Sequence, residues 1–273
     1  MKHMKKLALF CSILLTLVMG SCDALFSNKF QELGLGQVDS AALATANSET
    51  LFAQSGINSG TISQSFIDAA LKDDTTKAAV VAELSTAAGD TDPKVAQTAQ
   101  ALLIEIKLQD TGAKQVVNNM GGLLDLFMSD DTLDPSTPAG MNAIIDTLVP
   151  PDLSDGDLAK VLNDLKDLAN NEVKDFGTNL STNGGLQNDN IDTASIAQTA
   201  VLATVVATLT PADPSVSIGE ALVAALNNTD ETKNFGDFVT VPAGGLDSLT
   251  TDAGLTAIFN AAGLNELITK LSS

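Results

Sequence analysis

Histidine, arginine, tryptophan and tyrosine are nearly or wholly missing from this chain. The single histidine is His3, all 14 basic residues are lysine, and there is neither Trp nor Tyr. Cysteine is confined to Cys11 and Cys22. Beyond position 22 a Ser-His-Asp triad, a Cys-His pair, a histidine general base and any zinc site ligated by His or Cys are therefore excluded. No Ser-x-x-Lys dyad is present; Thr111-Gly112-Ala113-Lys114 comes nearest. The glycines form neither a phosphate-cradling Gly-x-x-x-x-Gly-Lys-Ser/Thr loop nor a Gly-x-Gly-x-x-Gly turn. A pair of carboxylates, as glycosidases use, stays open because acids abound. The sequence nonetheless favours a chain that is not an enzyme and carries no cofactor, since sugar sites usually offer aromatic platforms and only Phe is present here.

What is there begins with a leader. Residues 1–6 carry three lysines and no acid, residues 7–19 are an almost unbroken apolar run, and Gly20-Ser21 places small residues before Cys22. A positive start, a short apolar stretch and small residues at a cleavage point make a secretory signal over 1–21. The apolar run is shorter than the roughly 20 residues a spanning helix needs. Removing the leader takes Cys11 with it, so Cys22 stands alone and no internal disulfide can form. A free thiol in an oxidising compartment would be a liability, whereas a capped one is not.

The string Val18-Met19-Gly20-Ser21-Cys22 resembles the lipobox of bacterial lipoproteins, particularly the looser form found in spirochaetes and Bacteroidetes. Met19 departs from the leucine usual three residues before the cysteine. The resemblance covers only residues 1–22. It implies a diacylglycerol on the Cys22 sulfur, cleavage just before Cys22 and acylation of the new amine. The implied location is the bacterial cell envelope, with the lipid on Cys22 anchoring the chain to the outer membrane, to the periplasmic face of the inner membrane or at the surface. Asp23 resembles an enterobacterial signal for inner-membrane retention, a rule that does not carry over to other groups.

The charge balance narrows the partners. After cleavage about 250 residues remain, enough for a sizeable core. Three of the 14 lysines leave with the signal, so 11 face 34 acids, a net charge near −23. That field repels nucleic acid and anionic lipid head groups, and no arginine is present to clamp phosphate. Residues 22–38 form a short juxtamembrane tether in which Phe26, Phe30 and Leu33 share a helical face, suited to packing on the domain that follows.

Residues 39–273 read as one all-α domain, an irregular multi-helix bundle or helical-hairpin array of about 8–10 short helices, punctuated by Gly, Asn, Asp and Pro. The spacing predicts helices over 40–54, 61–71 and 74–88, the last ending at Gly89. Asp92 as cap and Pro93 at the first helical position predict another, stopped by Gly112. Others are expected over 114–128, 138–148, 154–169, 193–210, 217–226, 254–260 and 264–271, with a strand or extended crossing over 235–241. Residues 193–212 hold no charge but five threonines, too polar for a membrane span and suited to a central apolar helix near 193–210. Loops over 130–138 and 177–190 are the expected boundaries, the second separating halves 39–176 and 190–273. The match of Ala96-Gln97-Thr98-Ala99 with Ala197-Gln198-Thr199-Ala200 is short enough to arise by chance in so alanine-rich a chain, and no solenoid period appears.

Two further features invite a ligand. The acid clusters 152–157 and 188–192 fail the EF-hand pattern, and capping explains Ser154 and Asp192, so no metal site is expected. Small residues over 194–207 leave room between helices, which makes Ile196, Ala200, Val201, Thr204 and Val205 the candidate lining of an apolar pocket. Close packing of helices through those same residues is the simpler expectation. Together these features favour a membrane-anchored, non-catalytic binding or scaffold module for a protein partner in the cell envelope; a carrier of a small apolar ligand or lipid is the alternative.

Overall fold

A computed structural model describes residues 38–119, 149–150, 153–228, 230, 232–240 and 251–264. The expected signal over 1–21, Cys22 and the expected tether up to residue 37 lie outside the described residues, as do the helix expected over 138–148, the loop expected over 130–138, and the parts of the helices expected over 114–128 and 264–271 that follow residues 119 and 264.

The described chain is all-α. Its helices are α1 (Ser40–Leu43), α2 (Ser48–Ser55), α3 (Gln64–Ala70), α4 (Asp74–Ala88), α5 (Pro93–Thr111), α6 (Ala113–Asn118) and α7 (Asp155–Leu168). A π segment, Ala169–Val173, leads into α8 (Lys174–Thr182), followed by α9 (Thr193–Thr208), α10 (Ile218–Leu226) and α11 (Ala253–Ala261). The extended crossing is a two-residue antiparallel ladder, β1 (Thr210–Pro211) with β2 (Val239–Thr240), in register Thr210 to Thr240.

Local chemistry sets most of the boundaries. The side chains of Asp39, Asn47, Asp73, Asp92, Ser154, Asp192, Ser217 and Asp252 each accept a backbone N–H of the first helical turn, satisfying donors that have no partner within the helix. Ser217 and Glu220 form a complete capping box at α10. Gly56 and Gly112 take the left-handed conformation at φ 80° and 78° and end α2 and α5 as expected.

Three expectations need correction. The single helix over 40–54 is two, because Asn47 accepts the Thr50 N–H at 3.0 Å and caps a new start. The helix over 61–71 begins only at Gln64, behind Ser63. Most consequentially, the segment from 177 is not a loop: the helix begun at Asp155 passes through the π segment and continues to Thr182. Gly177 is buried inside it, where a Cβ would stand 2.7 Å from the carbonyl carbon of Gly254 in α11. Gly177 serves a close crossing of two helices rather than a turn.

One large apolar cluster runs from Leu43 to Phe259 and draws side chains from both 39–176 and 190–273. Helix α5 lies at its centre, buried from Ala96 to Leu108 on nearly every side and packed on α4, α6, α7 and α8. Helix α9 contributes Ile196, Ala197, Ala200, Val201 and Ala203 and packs on α7 and α11. A smaller cluster of Val206, Leu209, Ile218, Leu222 and Val239 sits under the β ladder. A third, of Leu158, Ala159 and Val223, joins α7 to α10.

Polar groups stitch the segment 183–192 to α5. Fully buried Gln97 donates through Nε2 to Asn179 Oδ1 (3.0 Å) and the Gly185 carbonyl (3.1 Å), and its Oε1 accepts the Gln187 N–H at 2.7 Å. Buried Asn188 donates to Thr98 Oγ1 at 2.9 Å. Gln97→Leu would strand these partners, and it is expected to cost about 2 kcal/mol in urea melts. A cost under about 0.5 kcal/mol would show that the segment is not held through Gln97.

Candidate functional site

One concavity among the described residues is an open groove of about 450 Å3 lined by Ser85, Ala88 and Gly89 of the α4 end, Gln100 of α5, and Asp175, Thr178, Asn179, Thr182 and Asn183 along and just beyond α8. The α8 residues recur at helical spacing and form one polar stripe. Helix α5 packs against both α4 and α8, so its Gln100 makes the floor. Gln100 is 6% exposed; its Nε2 reaches the Ala88 carbonyl at 3.4 Å, and its Oε1 has no hydrogen-bond partner among the described residues. Asn179 is held from beneath by Gln97 and from the side by Asn183 Nδ2, at 3.1 Å to its Oδ1.

None of the sequence-predicted lining residues belongs to this groove. Ile196, Ala200 and Val201 are buried in the main apolar cluster, Val205 is half-buried against it, and Thr204 is half-buried on the same helix. The α5–α8 groove was missed because α8 read as a loop. The polar repeat Asp175, Thr178, Asn179, Thr182 was the signal that could have found it.

Charged groups gather near the π segment. Lys107 on α5 pairs with Glu172 Oε1, and Glu172 Oε2, buried, has no hydrogen-bond partner among the described residues. Lys114 on α6 pairs with Glu105 at 2.7 Å, and Gln109 donates to the same carboxylate at 3.1 Å. These pairs tie α5 to the π segment and to α6.

The acid clusters are occupied by structural bonds. Ser154 caps α7 through Asp157, and Asp155 accepts the Asn227 amide at 2.8 Å. Asn188 is bonded to Thr98, and Asp192 caps α9. Among the described residues no three His, Cys, Asp or Glu side chains are placed to hold a metal ion.

Carboxylates with displaced pKa values are caps and turns. The Thr76 backbone N–H, then its hydroxyl, hold Asp73 below the ordinary carboxylate value. The Ser215 hydroxyl does the same to Asp213, the Ser217 N–H to Glu220 and the Thr232 hydroxyl to Asp230. A depressed folded-state value means stability that is present above the unfolded pKa and lost as pH falls through the folded one. Melting temperature is therefore expected to drop as pH falls below about 4. In Asp73→Asn, which keeps a capping side chain, the drop should be smaller; an identical acid limb would show that the Asp73 cap contributes nothing to it.

Comparison with known proteins finds no matching family model, no matching curated protein and no matching solved structure.

Proposed function

We propose that this protein is an exported bacterial lipoprotein, held to a membrane of the cell envelope by lipid on Cys22, whose helical domain is a non-catalytic binding or scaffold module for a protein partner. The observation that carries this reading is the leader that ends in Val18-Met19-Gly20-Ser21-Cys22, with Cys22 the only cysteine left after it. The lack of histidine, tyrosine, tryptophan and free thiol in the mature chain supports a role in binding rather than chemistry.

Burial of Ile196, Ala200 and Val201 within the main cluster supports the partner reading over a carrier of apolar ligands. Those side chains already spend their surface on helix–helix packing. The acidic surface favours a partner with a basic or polar face and disfavours nucleic acid.

Native mass spectrometry of the full chain, purified in mild detergent from its own envelope, tests this reading. The expected spectrum contains a discrete complex with a second protein. A reproducible small-molecule adduct lost on denaturation, with no protein complex, would overturn it in favour of the carrier.

A further inference from the structure

We infer that Asn183, just past the end of α8, is a self-modifying site: ring closure with the Gly184 nitrogen turns its amide into aspartate and isoaspartate, and the change loosens the segment 183–192 from α5. Asn183-Gly184 is the one Asn-Gly pair in the chain. Every other asparagine precedes a residue with a side chain, which crowds the nitrogen that must attack. Both residues of the pair are exposed. Beyond its own neighbours in the chain, no described atom stands within 4 Å of where a Cβ on Gly184 would lie, and Gly184 holds φ 75°. Its N–H makes no hydrogen bond among the described residues, although a glycine so placed at a helix end commonly donates back to the last turn. The turn is held instead by the Gly185 N–H, which donates to the Leu180 carbonyl at 2.8 Å. Helix ends open at little cost. Once that bond parts, Asn183 is free to rotate from its ψ of 13° and bring its side-chain carbonyl carbon onto the Gly184 nitrogen.

The Gly184 nitrogen gives its proton to hydroxide, bonds to Asn183 Cγ and expels ammonia, leaving a succinimide. Water then opens either carbonyl of that ring. One opening gives aspartate; the other routes the main chain through the side-chain carbonyl, as isoaspartate. Water is the only co-reactant. The amide that is lost holds the segment in place. Asn183 Nδ2 donates to the Asn179 carbonyl at 3.0 Å and to Asn179 Oδ1 at 3.1 Å. Asn179 Oδ1 also accepts Gln97 Nε2 at 3.0 Å. A carboxylate has no proton to offer at that point. It would face the Asn179 oxygens at the negative end of α8, in the groove that Asp175 also lines. Displacing Asn179 disturbs Gln97, which accepts the Gln187 N–H at 2.7 Å and donates to the Gly185 carbonyl at 3.1 Å. The Asn183 carbonyl itself accepts Gln187 Nε2 at 3.1 Å, and isoaspartate inserts an extra carbon into the main chain beside it.

Peptide mapping of the full chain in mild detergent, fresh and after incubation at mildly alkaline pH, tests the site, with electron-transfer fragmentation to tell isoaspartate from aspartate. Both products are expected at position 183 before deamidation of any other asparagine, and faster as pH rises, because the Gly184 nitrogen must lose its proton. Asn183→Gln, whose ring would be one atom larger, should show no such product at 183. The consequence is read separately in Asn183→Asp. Amide hydrogen exchange over 184–190 is expected to run about tenfold faster than in the parent, for the lost bonds to Asn179 and the charge that replaces them. An aged chain still intact at 183, or one in which another asparagine reacts first, would overturn the modification. Unchanged exchange over 184–190 in Asn183→Asp would overturn its effect on the fold.

Discussion

Gly219→Ala is expected to destabilise the fold by about 3 kcal/mol or more, at the upper end of what overpacking costs. A Cβ on Gly219 would stand 2.7 Å from the carbonyl carbon of Ala159 and 2.9 Å from its Cα. The obstruction is backbone, so no side chain can rotate away. The start of α10 is also fixed to α7 by Asn163, whose Oδ1 accepts the Gly219 N–H at 3.0 Å and whose Nδ2 donates to Ser217 Oγ at 3.1 Å. Relief would require α10 to leave α7, exposing Leu158 and Val223. Gly177→Ala should be costly for the same reason at the crossing of α8 and α11. Gly89→Ala is the control. Its nearest contact is 3.6 Å and its φ is −93°, so it should be neutral or slightly stabilising. Urea melts followed by circular dichroism compare the three; Gly219→Ala within about 0.5 kcal/mol of the parent would refute the crossing.

Cys22→Ser is expected to abolish membrane retention of the processed chain. Each buried methylene contributes roughly 0.8 kcal/mol, so two or three acyl chains hold a protein on a bilayer far more firmly than one. Little else would replace them. Among the described residues no helix is long and apolar enough to cross a membrane. A mature charge near −23 gives no attraction to anionic lipid. Fractionation should therefore place the wild-type chain with membranes and any processed Cys22→Ser chain in the soluble fraction. Processed Cys22→Ser that stays with the membrane would refute anchoring through this residue.

Much of the fold was legible because capping is local. Asp73, Asp92 with Pro93, Ser154, Asp192 and Ser217 announce their helices within one turn of sequence, and the structure places the helices there. Glycine misled, because its two uses look alike in sequence. Gly112 is a left-handed helix end, whereas Gly177 and Gly219 let two backbones meet, and the partner backbone is distant in the chain. The same misreading hid α8 and with it the groove. Helix α9 was recognisable as a core helix from its uncharged run, but the central place expected for it belongs to α5, and nothing local distinguishes a lined pocket from the close packing in which Ala200 and Val201 take part. Nor could sequence order reveal that Gln97 and Thr98 reach across to Gln187 and Asn188, ninety positions away.

The mass of the N-terminal peptide of the mature protein tests the central claim most directly. Protease digestion of chain purified from its own membranes should yield a peptide beginning at Cys22, with 1–21 absent, and carrying the mass of a diacylglycerol and an amine-linked acyl chain. A peptide that retains residues before Cys22, or one beginning at Cys22 without added mass, would contradict it.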